Sequence, residues 1–108
     1  MTATLQSAEI AVRAAIGAML VQAKTAFGEL TITVPGDRIV EVLTVLRDDP
    51  GCRFEMLIDI CGVDYPERAR RFDVVYHLLS PRRNMRLRVK LETDETTPVA
   101  SAIPAFPA

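Results

Sequence analysis

Three stretches of this chain alternate apolar and polar positions with a period of two, the signature of a pleated strand. In the first, Phe54, Met56, Ile58 and Ile60 alternate with Glu55, Leu57, Asp59 and Cys61; in the second, Phe72, Val74, Tyr76 and Leu78 alternate with Asp73, Val75, His77 and Leu79. In the third, Met85, Leu87, Val89 and Leu91 alternate with Arg86, Arg88, Lys90 and Glu92. The pattern predicts strands over 53–63, 71–80 and 84–92, joined as an antiparallel meander. A fourth strand is expected over 29–34, where Leu30, Ile32 and Val34 face inward between two threonines.

Helical spacing governs the remainder. Ser7 is positioned to cap an alanine-rich helix over 7–24, with one apolar stripe of Ile10, Ala14, Gly17 and Val21 beside another of Val12, Ile16, Met19 and Leu20. Pro35-Gly36 turns the chain, and Asp37 can cap a second helix over 37–48 built on Ile39, Val42, Leu43 and Leu46. Asp48-Asp49-Pro50-Gly51 then ends it, since proline cannot continue a helix. These elements predict an α+β domain over 1–92, a mainly antiparallel four-stranded sheet with two helices packed on one face. Gly62 to Arg71 is expected to project as a mobile loop in which Asp64 accepts local backbone amides. Residues 93–108, with three prolines in the last eleven, are expected as an extended arm leading to a missing C-terminal segment. On two strands the second sheet face is interrupted by Leu57, Cys61, Val75 and Leu79, so part of it is expected to be covered.

Composition adds few constraints. With 108 residues, 49% of them hydrophobic, and a formal net charge of -1, the chain is an ordinary globular one. The distribution of charge says more. Pro66 to Lys90 holds eight basic residues against Glu67 and Asp73, a local +6. Arg86, Arg88 and Lys90 share one strand face, with Arg82 and Arg83 expected to extend the row. Such a row fits a nucleic-acid groove, an edge strand guarded by charge, or a docking face for a protein partner. The aromatics needed to stack bases, Phe54, Phe72 and Tyr76, alternate with the apolar face, which favours the protein partner. The expected partner-facing residues are Arg82, Arg83, Arg86, Arg88 and Lys90, with Asp64, Tyr65, Arg68 and Arg71 from the loop as a second contact.

Candidate chemistry is sparse. His77 is the single histidine and sits mid-strand, with no nucleophile elbow and no phosphate-binding glycine loop nearby. Asp59, Asp64, Glu67 and Asp73 are read as solvated or structural rather than as a metal set. Cys52 and Cys61 lack metal-ligand spacing and are read as reduced thiols. The most apolar N-terminal stretch, Ala8 to Ala23, carries Glu9 and Arg13 and falls short of the ~20 residues that span a bilayer.

LRDDPGCRF followed by FEMLIDICGVDYPERARRFDVVYHLLSPRRNMRLRVKLE closely resembles the C-type subunit of bacterial NADH:quinone oxidoreductase, the 30 kDa subunit family of respiratory complex I. LIDICGVDYP (Leu57 to Pro66), RFDVVYHLLS (Arg71 to Ser80) and RLRVKL (Arg86 to Leu91) carry the resemblance, which runs from about Leu30 to Ala108. The family's acidic and aromatic motif, of the form ERExxDxFG, is absent, so the chain is expected to be the N-terminal domain of a longer subunit. The resemblance implies a chain that binds no cofactor itself, within a complex that holds FMN, iron-sulphur clusters and quinone. It implies a non-catalytic scaffold in the peripheral arm, on the cytoplasmic side of the bacterial inner membrane. The implied partners are the 49 kDa (D-type) subunit that forms the quinone pocket and the B-type subunit, with no nucleic acid and no direct membrane span. The homologous subunit of a membrane-bound hydrogenase complex and a free-standing basic RNA-binding module are the alternatives.

Overall fold

The computed structural model describes residues 5–94 and Phe106. Within them the α+β class and two helices are present, α1 (Leu5–Ile16) and α2 (Ile39–Asp48), but the sheet has five strands and is mixed. The strands are β1 (Gln22–Ala26), β2 (Glu29–Thr33), β3 (Met56–Asp64), β4 (Phe72–Ser80) and β5 (Met85–Thr93), in the order β1-β2-β5-β4-β3. The β3-β4-β5 meander is antiparallel as expected, whereas β2 joins β5 in parallel, with Ile32 opposite Val89. Strand β5 reaches Thr93; apart from Thr93, Asp94 and Phe106, the expected arm lies outside the described residues.

The unforeseen strand comes from the expected first helix. That helix stops at Ile16 because Gly17 takes a left-handed conformation (φ +53°), and Gly17–Met19 form a 3-10 turn. The following QAKTA pairs with ELTIT across a two-residue loop, Phe27-Gly28. Both loop residues have positive φ (54° and 74°), the type I′ geometry whose twist matches a hairpin. Helix propensity in Gln22 to Lys24 loses here to pairing along the whole of β1. Ser7 therefore lies inside α1, and the capping position of α2 falls to Arg38, which makes no side-chain cap bond.

The core lies between the helices and one sheet face. Ala8, Val12 and Ile16, spaced by four, are the buried stripe of α1, while Ile10 of the other expected stripe is exposed. All four expected α2 positions, Ile39, Val42, Leu43 and Leu46, are buried. They meet Leu30, Ile32 and Val34 of the β2 region, Tyr76 and Leu78 of β4, and Met85, Leu87, Val89 and Leu91 of β5. Phe54 also belongs to this core, but outside any strand, because β3 begins only at Met56. Between them the chain turns through Arg53 at φ +53°, and the Phe54 amide donates to the Leu46 carbonyl at 2.9 Å.

The alternation expected along β3 is corrected by a bulge. Met56 pairs with Leu79 and Leu57 with Leu78, but Asp59 pairs with His77, so Ile58 is the extra residue. The insertion reverses the faces beyond it. Met56 shares the outer face with Leu79, whereas Ile60 shares the helix side with Tyr76. Met56, Ile58 and Ile60, all expected in the core, are about half exposed.

Candidate interaction face

The sheet face away from the helices carries Arg86, Arg88 and Lys90 together with Asp59 and Asp73. Register sets its rows: Met56, Leu79 and Arg86; Asp59, His77, Arg88 and Thr31; Cys61, Val75, Lys90 and Thr33; Val63, Asp73 and Glu92. The expected column of Arg86, Arg88 and Lys90 is present on β5. Its members are not equivalent. Arg88 Nη1 donates to Glu29 Oε2 at 3.2 Å across β2, and Lys90 Nζ lies 3.8 Å from Asp73 Oδ2. Arg86 is exposed and makes no ion pair among the described residues.

Arg82 and Arg83 do not extend this column. Arg82 Nε donates to Glu55 at 3.1 Å, and Arg83 Nη2 donates to the Pro50 carbonyl at 2.6 Å, tying the β4–β5 turn to the α2–β3 connection. In that turn Asn84 adopts φ +51°, a conformation asparagine tolerates better than most residues. The two arginines brace one end of the sheet.

The Gly62–Arg71 segment is stapled rather than projecting. Strand β3 continues to Asp64, and the Tyr65 amide donates to the Arg71 carbonyl at 2.6 Å. Asp64 accepts from the Arg71 guanidinium, not from local amides, through Nε at 2.7 Å and Nη2 at 3.0 Å. This two-pronged contact holds the Asp64 carboxyl below the usual carboxylate range. Arg68 stacks on the Tyr65 ring at 4.2 Å and donates to Asp73 at 2.5 Å. Asp73, buried on the outer face, therefore gathers Arg68 from the loop and Lys90 from β5. Strand alternation had given no sign of this buried hub; a carboxylate opposite a basic strand was the available signal.

Asp73→Ala is expected to destabilise the fold by about 2 kcal/mol, because it removes charge-assisted hydrogen bonds while the two cations keep access to water. Urea unfolding measures it, and Asp73→Asn should recover part of the loss.

His77 lies between Asp59 and Arg88, and Cys61 Sγ donates to Asp59 Oδ2 at 3.3 Å. That hydrogen bond raises the Cys61 pKa, favouring the thiol over the nucleophilic thiolate. Among the described residues no three His, Cys, Asp or Glu side chains converge as a metal set. Where β2 and β5 diverge, a cleft of about 350 Å³ is lined by Leu30, Met85, Leu87, Glu29, Arg86 and Arg88 among others. A second depression involves Lys24, Glu29, Thr31, Arg88 and Lys90. Both juxtapose fixed charges of both signs, an arrangement suited to docking a polar surface. No described helix is long and apolar enough to cross a membrane.

Residues 32–108 match the family described as respiratory-chain NADH dehydrogenase, 30 Kd subunit. The chain is 65% identical over 94 residues to the C-type subunit of NADH-quinone oxidoreductase from Methylorubrum populi, covering 87% of this chain and 43% of that protein. It is 70% identical over 81 residues to the same subunit from Methylorubrum extorquens (75% and 37%). With that of a Methylobacterium species it is 55% identical over 107 residues (99% and 50%). The chain thus spans half or less of the length of these relatives. A solved structure of the membrane-bound sulfane sulfur reductase, an archaeal respiratory membrane complex, shares the fold with a TM-score of 0.74. That likeness covers 94% of this chain and 60% of the other at 22% identity.

Proposed function

This chain belongs to the 30 kDa subunit family of the respiratory-chain NADH dehydrogenase, and from that premise we propose that it is a non-catalytic scaffold in the peripheral arm of a proton-pumping NADH:quinone oxidoreductase. In this reading it braces the quinone-reducing module from the cytoplasmic side of the bacterial inner membrane, against the 49 kDa and B-type subunits. FMN, the iron-sulphur clusters and quinone belong to those and other partners. The names of the similar proteins favour the NADH-linked assembly over a hydrogenase-type one.

The observation that carries the proposal is the β5 cation column on the helix-free face. Arg88 and Lys90 are held in place by Glu29 and Asp73, and Arg86 stands exposed between them and the end of the sheet. An exposed guanidinium with no carboxylate partner among the described residues is suited to a carboxylate on another protein. Nucleic-acid binding is less well supported, since Phe54 and Tyr76 are buried and cannot stack bases.

Arg86→Glu, which breaks no ion pair within the described residues, tests the assignment together with the Arg86→Glu/Arg88→Glu pair. The single change should lower recovery of the assembled complex about tenfold, the loss of one favourable interfacial contact, and the pair should lower it further. Membrane NADH:quinone activity should fall in proportion to assembled complex, with unchanged turnover per complex and an unchanged thermal melt for the single variant. Full assembly of both variants refutes the docking role of this face.

A further inference from the structure

We infer that the free edge of β3 is a second docking site, which takes an extended and largely apolar strand of a partner protein carrying a lysine or arginine across from Asp59. The inference rests on the sheet edge and is independent of the basic column.

The sheet ends in two different ways. At one side β1 is short and polar, with Gln22, Lys24 and Thr25 exposed, a form that discourages further pairing. At the other, β3 is nine residues long and outermost. Met56, Ile58 and Ile60 along it are 48%, 49% and 48% exposed, and Val63 and Tyr65 continue the apolar run. Beyond the bulge at Ile58, Asp59 to Asp64 keep regular pairing with β4, leaving the opposite side of a straight strand segment open. An added strand would bury these side chains and use the outward backbone groups.

Charge selects the occupant. Residues 55–64 hold Glu55, Asp59 and Asp64 and no Lys or Arg. Glu55 is neutralised by Arg82 and Asp64 by Arg71, whereas Asp59 accepts only from the Ile60 amide and the Cys61 thiol among the described residues. A residue directly across an added strand sits roughly 5 Å away on the same face, within reach of Asp59 if it is basic. A second copy of this chain fits poorly. Antiparallel self-pairing about Ile60, the centre of β3, leaves Asp59 opposite Cys61 and diagonal to the other copy's Asp59, and pairing about Asp59 sets the two carboxylates directly opposite. A second copy also supplies no lysine or arginine from residues 55–64 to meet Asp59.

Hydrogen exchange decides the matter, comparing the free full chain with the complex recovered through a tag on the same chain. Amides of residues 56–64 should exchange at least about tenfold more slowly in the complex, a protection of the size that added strand hydrogen bonds give, while 22–26 exchange alike in both. Asp59→Lys should lower recovery of the complex with an unaltered melt, as should Ile58→Lys/Ile60→Lys. If the double variant fails to fold, the exchange comparison on the unsubstituted chain decides. Equal β3 exchange in both states overturns the inference, as does recovery of the chain alone or unimpaired assembly of Asp59→Lys. Protection that grows with the concentration of the free chain, together with dimer sedimentation, assigns the edge to a second copy and overturns it too. Protected β3 in a complex without NADH:quinone activity would instead refute the scaffold role and leave this docking site standing.

Discussion

Phe54→Ala is expected to destabilise the domain by about 3–5 kcal/mol, the cost of deleting a large fully buried ring that the surrounding backbone cannot follow. Its neighbours are pinned. The Phe54 amide is bonded to Leu46 at the end of α2, Arg53 is held in a left-handed turn, and Cys52 donates its amide to Asp49 at 3.0 Å. The ring thus plugs the junction where α2 hands the chain to β3. Against a total stability of about 5–15 kcal/mol for a domain of this kind, the variant should lose on the order of 20 °C in melting temperature. Ile58→Ala provides the contrast. Although Ile58 falls in the same alternating series as Phe54, it is half exposed at the bulge and should cost less than about 1 kcal/mol. Equal losses for the two would show that β3 runs without its bulge and that the ring is not the plug described.

Alkaline pH is expected to have the second large effect, through Cys52. The thiol is fully buried, and desolvation, reinforced by the charge of Asp49 and a hydrogen bond to it, pushes its pKa up to about 12. Below pH 9 the thiol is protonated in both folded and unfolded chains and pH has no leverage through it. Above pH 9 the unfolded chain gives up the proton while folded Cys52 keeps it, so the unfolded state binds fewer protons and stability falls. The slope is about 1.4 kcal/mol per pH unit until the folded thiol ionises near 12, roughly 4 kcal/mol in all. Tyr76, whose pKa burial also raises, acts in the same direction at the top of this range. Urea midpoints for the native chain and Cys52→Ala at pH 8, 9.5 and 11 separate this contribution from that of other groups. The native curve should fall more steeply above pH 9, and parallel curves would remove Cys52 as the cause. Native-state alkylation at pH 8 should modify Cys61 before Cys52, since only Cys61 is accessible.

These effects concern stability, whereas the proposed role depends on what the fold leaves at its surface. Loop contacts that could have served a partner are largely spent internally: Arg71 on Asp64, Arg68 on Asp73, Arg82 on Glu55 and Arg83 on Pro50. Of the nine residues expected to face partners, Arg86 retains the clearest freedom to do so. Meanwhile the β3 edge, where the sequence had placed core residues, offers apolar side chains to solvent.

The sequence alone determined the α+β class, the two helices, the β3-β4-β5 meander and the buried faces of α2 and β5. Each of these follows from a local period, 3.6 or 2, that side-chain burial enforces over many residues. Family membership was legible for a related reason, since the quoted segments run through whole strands rather than isolated residues. Three features were decided only by tertiary structure. The tail of the alanine-rich stretch became β1 because pairing with β2 offered it a partner that a local helix reading cannot see. The parallel contact of β2 with β5 joins residues far apart in the chain, which no period encodes. One extra residue at Ile58 moved Met56 and Ile60 to opposite faces, since a strand's side-chain repeat has no tolerance for an insertion. Which charges remained for other proteins was settled by the same long-range folding, as guanidinium groups found carboxylates up to 59 positions away.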